Sequence, residues 1–125
     1  MGVDVRDPAV VTTAALKTRT ALPSIVGMVH CAGIVDTGSL DGITLETWSA
    51  GIDLHLRAIV LLLQAVLDDR KRQSGSAVLA MASIDATLGN AVNPIDSAVK
   101  GGVLSLVRSL ANGLAIAGRP ILWCR

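Results

Sequence analysis

Five side chains have the types and spacing to do chemistry. Asp96 lies four positions before Lys100, so on a helix the carboxylate and the ammonium share a face. A nearby opposite charge lowers a carboxyl pKa, so Asp96 is expected to be ionised at neutral pH. In that state it has no proton to give a carbonyl. The plain expectation for Asp96 and Lys100 is an i,i+4 ion pair worth roughly 0.2–0.5 kcal/mol. His55 has a titration range that chemistry can use, although a histidine on a helix is more often structural. His30 and Cys31 are adjacent, and neighbours on an extended segment point to opposite faces, which argues against a metal site. Ala32 and Gly33 follow them, where a tight strand exit calls for small residues in any case.

An alternation of strands and helices must position these residues. Residues 3–5 look like a strand stub. A helix is expected from Asp7 or Pro8 to about Arg19, with Pro8 suited to its first turn. Residues 25–29 form a short continuous apolar run, the pattern of a strand buried on both faces. Residues 33–44 are a loop rich in Gly, Asp, Thr and Ser. A long helix runs from about Leu45 to Arg70. Between Ala58 and Leu67 it is apolar nearly all round, so it should be buried on more than one side. Residues 77–81 make the next strand, and a polar loop follows. Val99, Val103, Leu106, Leu110 and Leu114 mark one face of a helix over about 95–117, with Gly118 where a C-terminal cap belongs. A last strand starts at residues 121–123. This order implies right-handed crossovers and a parallel sheet, so residues 1–125 read as one α/β domain.

Composition narrows the function classes. Charged residues make up 17%, below the roughly 25% of an average globular protein, and hydrophobic residues 51%. A net charge of +1 argues against nucleic acid and anionic membranes as partners. Asp68, Asp69, Arg70, Lys71 and Arg72 mix signs at a helix end and read as a solvated terminus. Cys31 and Cys124 make no disulfide framework. The stretch 58–67 is too short to span a bilayer, and Asp4, Arg6 and Asp7 interrupt any secretory signal. The expectation is a soluble, cytoplasmic protein with no membrane partner.

Four segments in order, VDVRD (3–7), VHCAGI (29–34), WSAGIDLHL (48–56) and MASIDATLGNAVNPIDSAVKGGVLSLVRSLA (81–111), resemble the short-chain dehydrogenase/reductase family. Its members move hydride between NAD(P) and alcohol or carbonyl substrates. The resemblance covers nearly the whole chain and implies a partial Rossmann-like, doubly wound parallel sheet. It places Asp4 and Val5 at the family's adenine contact. His30, Cys31, Ala32 and Gly33 stand at its Asn-Asn-Ala-Gly cofactor turn, with both amides lost. Ser83 falls at the catalytic serine, 13 positions before the tyrosine of Tyr-x-x-x-Lys, and Lys100 at the lysine that also holds the ribose. Asp96 stands where that tyrosine belongs, His55 stands at the catalytic asparagine, and the chain contains no tyrosine. In the family the phenol passes the proton while hydride moves, its pKa drawn down from about 10 by the lysine. An ionised Asp96 does not replace it.

The resemblance also implies NAD or NADP as cofactor, yet no Gly-rich phosphate turn occurs in the chain. Cofactor binding tighter than about millimolar is therefore not expected. The chain reads as a fragment lacking the family's first two strands and its last, and RPILWCR (119–125) departs from the usual run. Three parallel strands are expected, over 25–29, 77–81 and 121–124. Residues 3–5 should be loosely attached or pair against the open edge at 25–29. In the family the helices matching 45–70 and 95–117 form a dimer interface, so the expected partner is a second copy or a full-length homologue.

Overall fold

The computed structural model describes residues 2–23, 25–72 and 77–116. The first helix, α1 (Pro8–Ala21), begins where Asp7 caps it, the carboxylate accepting from the Ala9 amide at 2.8 Å and the Val10 amide at 3.2 Å. Pro8 sits in the first turn, where its missing N–H costs nothing. Val11 and Ala15, one turn apart, are its buried residues, and Arg19 Nη2 donates to the Ala65 carbonyl at 2.6 Å.

Two short strands follow, β1 (Gly27–His30) and β2 (Ala77–Ala80). They pair in parallel, Gly27 opposite Ala77 through His30 opposite Ala80. Between them lie a 3₁₀ turn (Leu40–Gly42), α2 (Leu45–Ile52), a π-turn (Asp53–Arg57) and α3 (Ala58–Arg72). The single turn α4 (Asp85–Leu88) and the long α5 (Pro94–Ile116) complete the described chain. The expected polar loop after β2 thus contains a helical turn.

The core lies on the sheet face covered by α3 and α5. Ile59, Leu63, Val78, Ala80, Val103 and Val107 form one buried cluster, with Met28, Leu56, Leu106 and Leu110 packed against it. Gly102 lets the helices approach: a Cβ there would lie 3.0 Å from Leu56 Cδ1.

Several expectations change. Residues 3–5 form no strand. The Asp7 amide donates to the Asp4 carbonyl, and the Arg6 amide to the Asp4 carboxylate, in a local turn. A strand needs a neighbour for its backbone groups, and among the described residues none adjoins this segment. The expected strand over 121–124 and the cap at Gly118 lie outside the described residues. β1 is buried on one face, not two: His30 is buried, whereas Val29 is 63% exposed. β2 is its one partner among the described residues.

The long helix is continuous in direction but not in hydrogen bonding. Its π-turn adds one residue, so the Ala58 amide reaches back to the Asp53 carbonyl. Taken over Leu45–Val66 the run is long and apolar enough to cross a membrane, at mean hydropathy 1.4, which residues 58–67 alone are not. Here its buried side covers the sheet and α5.

Candidate functional site

Side chains from β1, the π-turn and α5 converge beyond the carboxyl ends of the strands. His30 is the last residue of β1 and is 4% exposed. Its Nε2 lies 3.1 Å from the Leu54 carbonyl oxygen and donates to it, tying the sheet to the π-turn. A π-turn leaves carbonyls out of the ordinary α-helical ladder, and Leu54 gives its carbonyl to this contact.

His55, one residue on, is 2% exposed. Its Nε2 lies 2.9 Å from the Ile34 carbonyl oxygen and 3.2 Å from the Ile34 amide nitrogen. The imidazole thereby clamps the segment that leaves β1. Gly33 makes room for it: a Cβ at that position would stand 2.6 Å from His55 Cε1. Gly33 does not have positive φ, so the small residue is needed for the approach of the ring and not for the turn itself.

Burial holds the pKa of both histidines below the ordinary imidazole value, and the Lys100 ammonium pushes the same way. In each, a hydrogen bond to a backbone carbonyl works in the opposite direction. The unfolded chain therefore binds more protons than the fold below about pH 6.5, the unfolded imidazole pKa. The contribution of His30 to stability is full above that pH and is lost as pH falls through the depressed folded value. Thermal unfolding midpoints are expected to be level above pH 7 and to fall on acidification. A His30→Gln variant, whose amide can still donate to Leu54, should show a shallower acid slope. An unchanged slope would exclude His30 as a contributor.

Lys100 lies on α5, and its Nζ donates to the Met81 carbonyl at 3.0 Å, just past the end of β2. Burial lowers its pKa, while Asp96 and Cys31 act to raise it. The expected Asp96–Lys100 salt bridge is not made, because the ammonium is turned to the backbone instead. Asp96, in the first turn of α5, is 7% exposed, and its Oδ1 has no hydrogen-bond partner. Ser83 Oγ accepts from the Asp85 amide at 3.2 Å and so shapes the entry to α4.

Of the residues singled out by sequence, the structure gathers His30, His55, Asp96 and Lys100. His55 and Asp96 line one small cavity together with Asp36, Thr47 and Gly51. Ser83 is not part of that lining and sits on the loop that α4 packs against α5. Cys31, Ala32 and Gly33 form an exposed strand exit. Asp4 stands apart from them, bound through Oδ1 and Oδ2 to Arg6 at 2.9 and 2.8 Å. That pairing holds its carboxyl down at about 2. Val5 is in the same turn, and no described hydrogen bond or cavity joins either residue to the segment 30–33. Asp36 and Gly51 were not singled out by sequence reasoning, because nothing local marks them. Among the described residues, no group of three His, Cys, Asp or Glu side chains is placed to hold a metal ion.

The residues fit a nicotinamide dinucleotide only in part. Residues 31–33 at the end of β1 are small and exposed, which suits the approach of a cofactor. Lys100 gives one of its three ammonium hydrogens to the Met81 carbonyl, and Asp96 presents a carboxyl.

Comparison with known proteins agrees with the fold. A family model described as enoyl-(acyl carrier protein) reductase matches residues 1–119. A probable galactose dehydrogenase from Rhizobium meliloti is 31% identical over 111 residues, 89% of this chain and 43% of that protein. An acetoacetyl-CoA reductase from Synechocystis is 26% identical over 108 residues, 86% of this chain and 45% of that protein. A short-chain dehydrogenase structure from Streptomyces avermitilis superposes with a TM-score of 0.90 at 22% identity, over 98% of this chain and 45% of that one. The L-sorbose reductase of Gluconobacter frateurii, solved with NADPH and L-sorbose, gives 0.85 at 24% identity, over 91% of this chain and 43% of that one. The chain thus spans less than half the length of each of these relatives. With its strand–helix order, a family model over residues 1–119 and a relative 31% identical over 89% of its length, the chain belongs to the short-chain dehydrogenase/reductase family.

Proposed function

We propose that this chain keeps the scaffold of an NAD(P)-dependent oxidoreductase without its hydride-transfer activity. One observation supports the reading: Asp96, the residue at which the resemblance would put the family's proton-passing phenol, is a buried carboxyl. A bound nicotinamide would supply or accept the hydride; the protein's part is to move a proton at the substrate oxygen. The short carboxyl side chain of Asp96 lacks the reach of the lysine-tuned phenol that takes that step in the family. Lys100 gives one of its three ammonium hydrogens to the Met81 carbonyl, which orients it toward the end of β2.

A second reading is favoured by the groove between α2, α3 and α5. It has a volume of about 540 Å³ and is lined largely by Ile52, Leu56, Val60 and Leu106. It supports a non-catalytic role, pairing with a second copy or with a full-length homologue. The exposed thiol of Cys31 suits a reducing, cytoplasmic setting for either role.

The test is oxidation of NADH or NADPH with sugar and acyl-thioester carbonyls, followed at 340 nm (a property of the reduced nicotinamide). No turnover above the uncatalysed background is expected, and no saturable quenching of Trp48 fluorescence below about millimolar cofactor. Turnover that disappears in Asp96→Asn would overturn the first reading. A clean monomer in size-exclusion chromatography at micromolar concentration, with no co-purifying homologue, would overturn the second.

A further inference from the structure

A cavity of about 10 Å³ lies between the segment leaving β1, α2, the π-turn and the first turn of α5. Three buried polar atoms of its lining residues have no hydrogen-bond partner in the protein: Asp36 Oδ2, His55 Nδ1 and Asp96 Oδ1. His55 is 2% exposed and Asp96 7%, so bulk solvent does not serve them. Thr47 also lines the cavity, but its Oγ1 is already engaged with Thr44, donating to the carbonyl at 3.1 Å and accepting from the amide at 3.1 Å. Buried polar atoms are almost always satisfied, so three of them at one water-sized cavity call for a shared partner.

The hydrogen on His55 decides what that partner must offer. The Ile34 amide donates to Nε2 at 3.2 Å, and a ring nitrogen that accepts carries no hydrogen. Burial and the Lys100 ammonium favour the neutral ring, whose one hydrogen then sits on Nδ1 and points a donor at the cavity. The carboxylates of Asp36 and Asp96 offer only acceptors. One donor and two acceptors are the complement of a single water, which brings a lone pair for Nδ1–H and a hydrogen for each carboxylate. No further proton is needed. The Ile34 carbonyl oxygen also stands 2.9 Å from Nε2 and would suit a hydrogen there. That tautomer presents three acceptors to the cavity, one more than a water's two hydrogens meet, and strands the Ile34 amide. The Nδ1–H form leaves only the carbonyl, on a residue 44% exposed, where solvent supplies a hydrogen.

We propose that this cavity is a binding site for one structural water, which accepts from His55 Nδ1–H and donates to Asp36 Oδ2 and to Asp96 Oδ1. The water ties together three stretches far apart in the chain: the segment after β1 through Asp36, the π-turn through His55, and the first turn of α5 through Asp96. A metal ion is not the occupant, because the acidic and imidazole groups are not placed to ligate one. A larger guest does not fit the volume.

Asp96 is thereby a positioning residue. Through the water it fixes the tautomer and the angle of the His55 ring, and through the ring it holds the Ile34 amide beside Gly33. The water stands independently of the proposed loss of hydride transfer, since none of these atoms has to react. It adds a use for the carboxyl at position 96, whose Oδ1 is turned into the fold.

The test joins ¹H–¹⁵N NMR of the histidine rings in the full chain, at neutral pH, with a high-resolution crystal structure. His55 is expected to carry its hydrogen on Nδ1, and the crystal to show one water within about 3 Å of all three atoms. Hydrogen on Nε2 alone, a direct contact of Nδ1 with either carboxylate, or no density between them would each overturn the proposal. Variants separate the water from simple packing. Asp96→Asn keeps an acceptor in place, so the Nδ1–H signal should persist. Asp36→Val with Asp96→Val removes both acceptors at similar volume, and the ring hydrogen should move to Nε2 and the Ile34 carbonyl. A hydrogen that stays on Nδ1 in that double variant would count against the water as its holder. Should the double variant not fold, the tautomer and the density in the parent chain decide alone.

Discussion

Ile59→Ala is expected to lower the free energy of unfolding by about 2–5 kcal/mol, the range for removing a large buried aliphatic side chain. Ile59 is 0% exposed and sits one residue into α3, against Val78 on β2 and the Val103 and Val107 face of α5. It therefore belongs to the layer that joins sheet and helices, where few neighbours are free to collapse into a void. Domains of ordinary stability have only about 5–15 kcal/mol in total. The loss should therefore remove a large fraction of the total and lower the urea midpoint in proportion. Leu45→Ala is the control, because Leu45 is 86% exposed, and it should fall within about 0.5 kcal/mol of the parent. Equal losses for the two variants would mean that the core does not lie on this face.

Gly33→Ala carries the second large effect. A methyl group there would stand 2.6 Å from His55 Cε1, closer than carbon atoms tolerate without one of them moving. The ring has little freedom, since it is buried and its Nε2 is held at the Ile34 backbone. Overpacking of this type costs about 1–3 kcal/mol. Amide exchange at Ile34 should quicken as the clamp opens. The informative variant is the double one, Gly33→Ala with His55→Ala, because the second change removes the obstacle. Its cost should be smaller than the sum of the two single costs by about 1–2 kcal/mol, the coupling of residues in contact. Additive costs would show that the alanine methyl and the imidazole do not meet.

Much of this fold was legible in the sequence, for a physical reason. Continuous apolar runs such as 77–81 and the stripe through Val99, Val103 and Leu106 report burial directly, and the structure puts strand and helix there. What failed depended on partners far along the chain. Residues 3–5 have strand-like composition, but composition cannot supply a neighbouring strand. Burial of residues 25–29 on both faces likewise required a second layer, and Val26 and Val29 lie exposed. At the site, positions 55, 96 and 100 were identifiable from spacing to the family's motifs. Their contacts were not: Lys100 chose a carbonyl 19 residues back over the carboxylate one turn away. Asp36 looked like one more polar loop residue, since its cavity is assembled from segments 34–36, 47–55 and 95–99.

The π-turn at Asp53–Arg57 makes the chain unusually sensitive to its own residue count. One residue of an α-helix subtends about 100°. Deleting a residue inside 53–57 would restore regular hydrogen bonding and turn everything upstream by that angle relative to α3. Gly51, whose missing Cβ leaves room for Ile95, would swing off α5, and Thr47 would leave the wall it shares with Asp96. The local helix would be better made and the domain worse assembled. At this point in the chain, an insertion or deletion of a single codon reaches further than most substitutions, because it changes which faces meet and not merely what they carry.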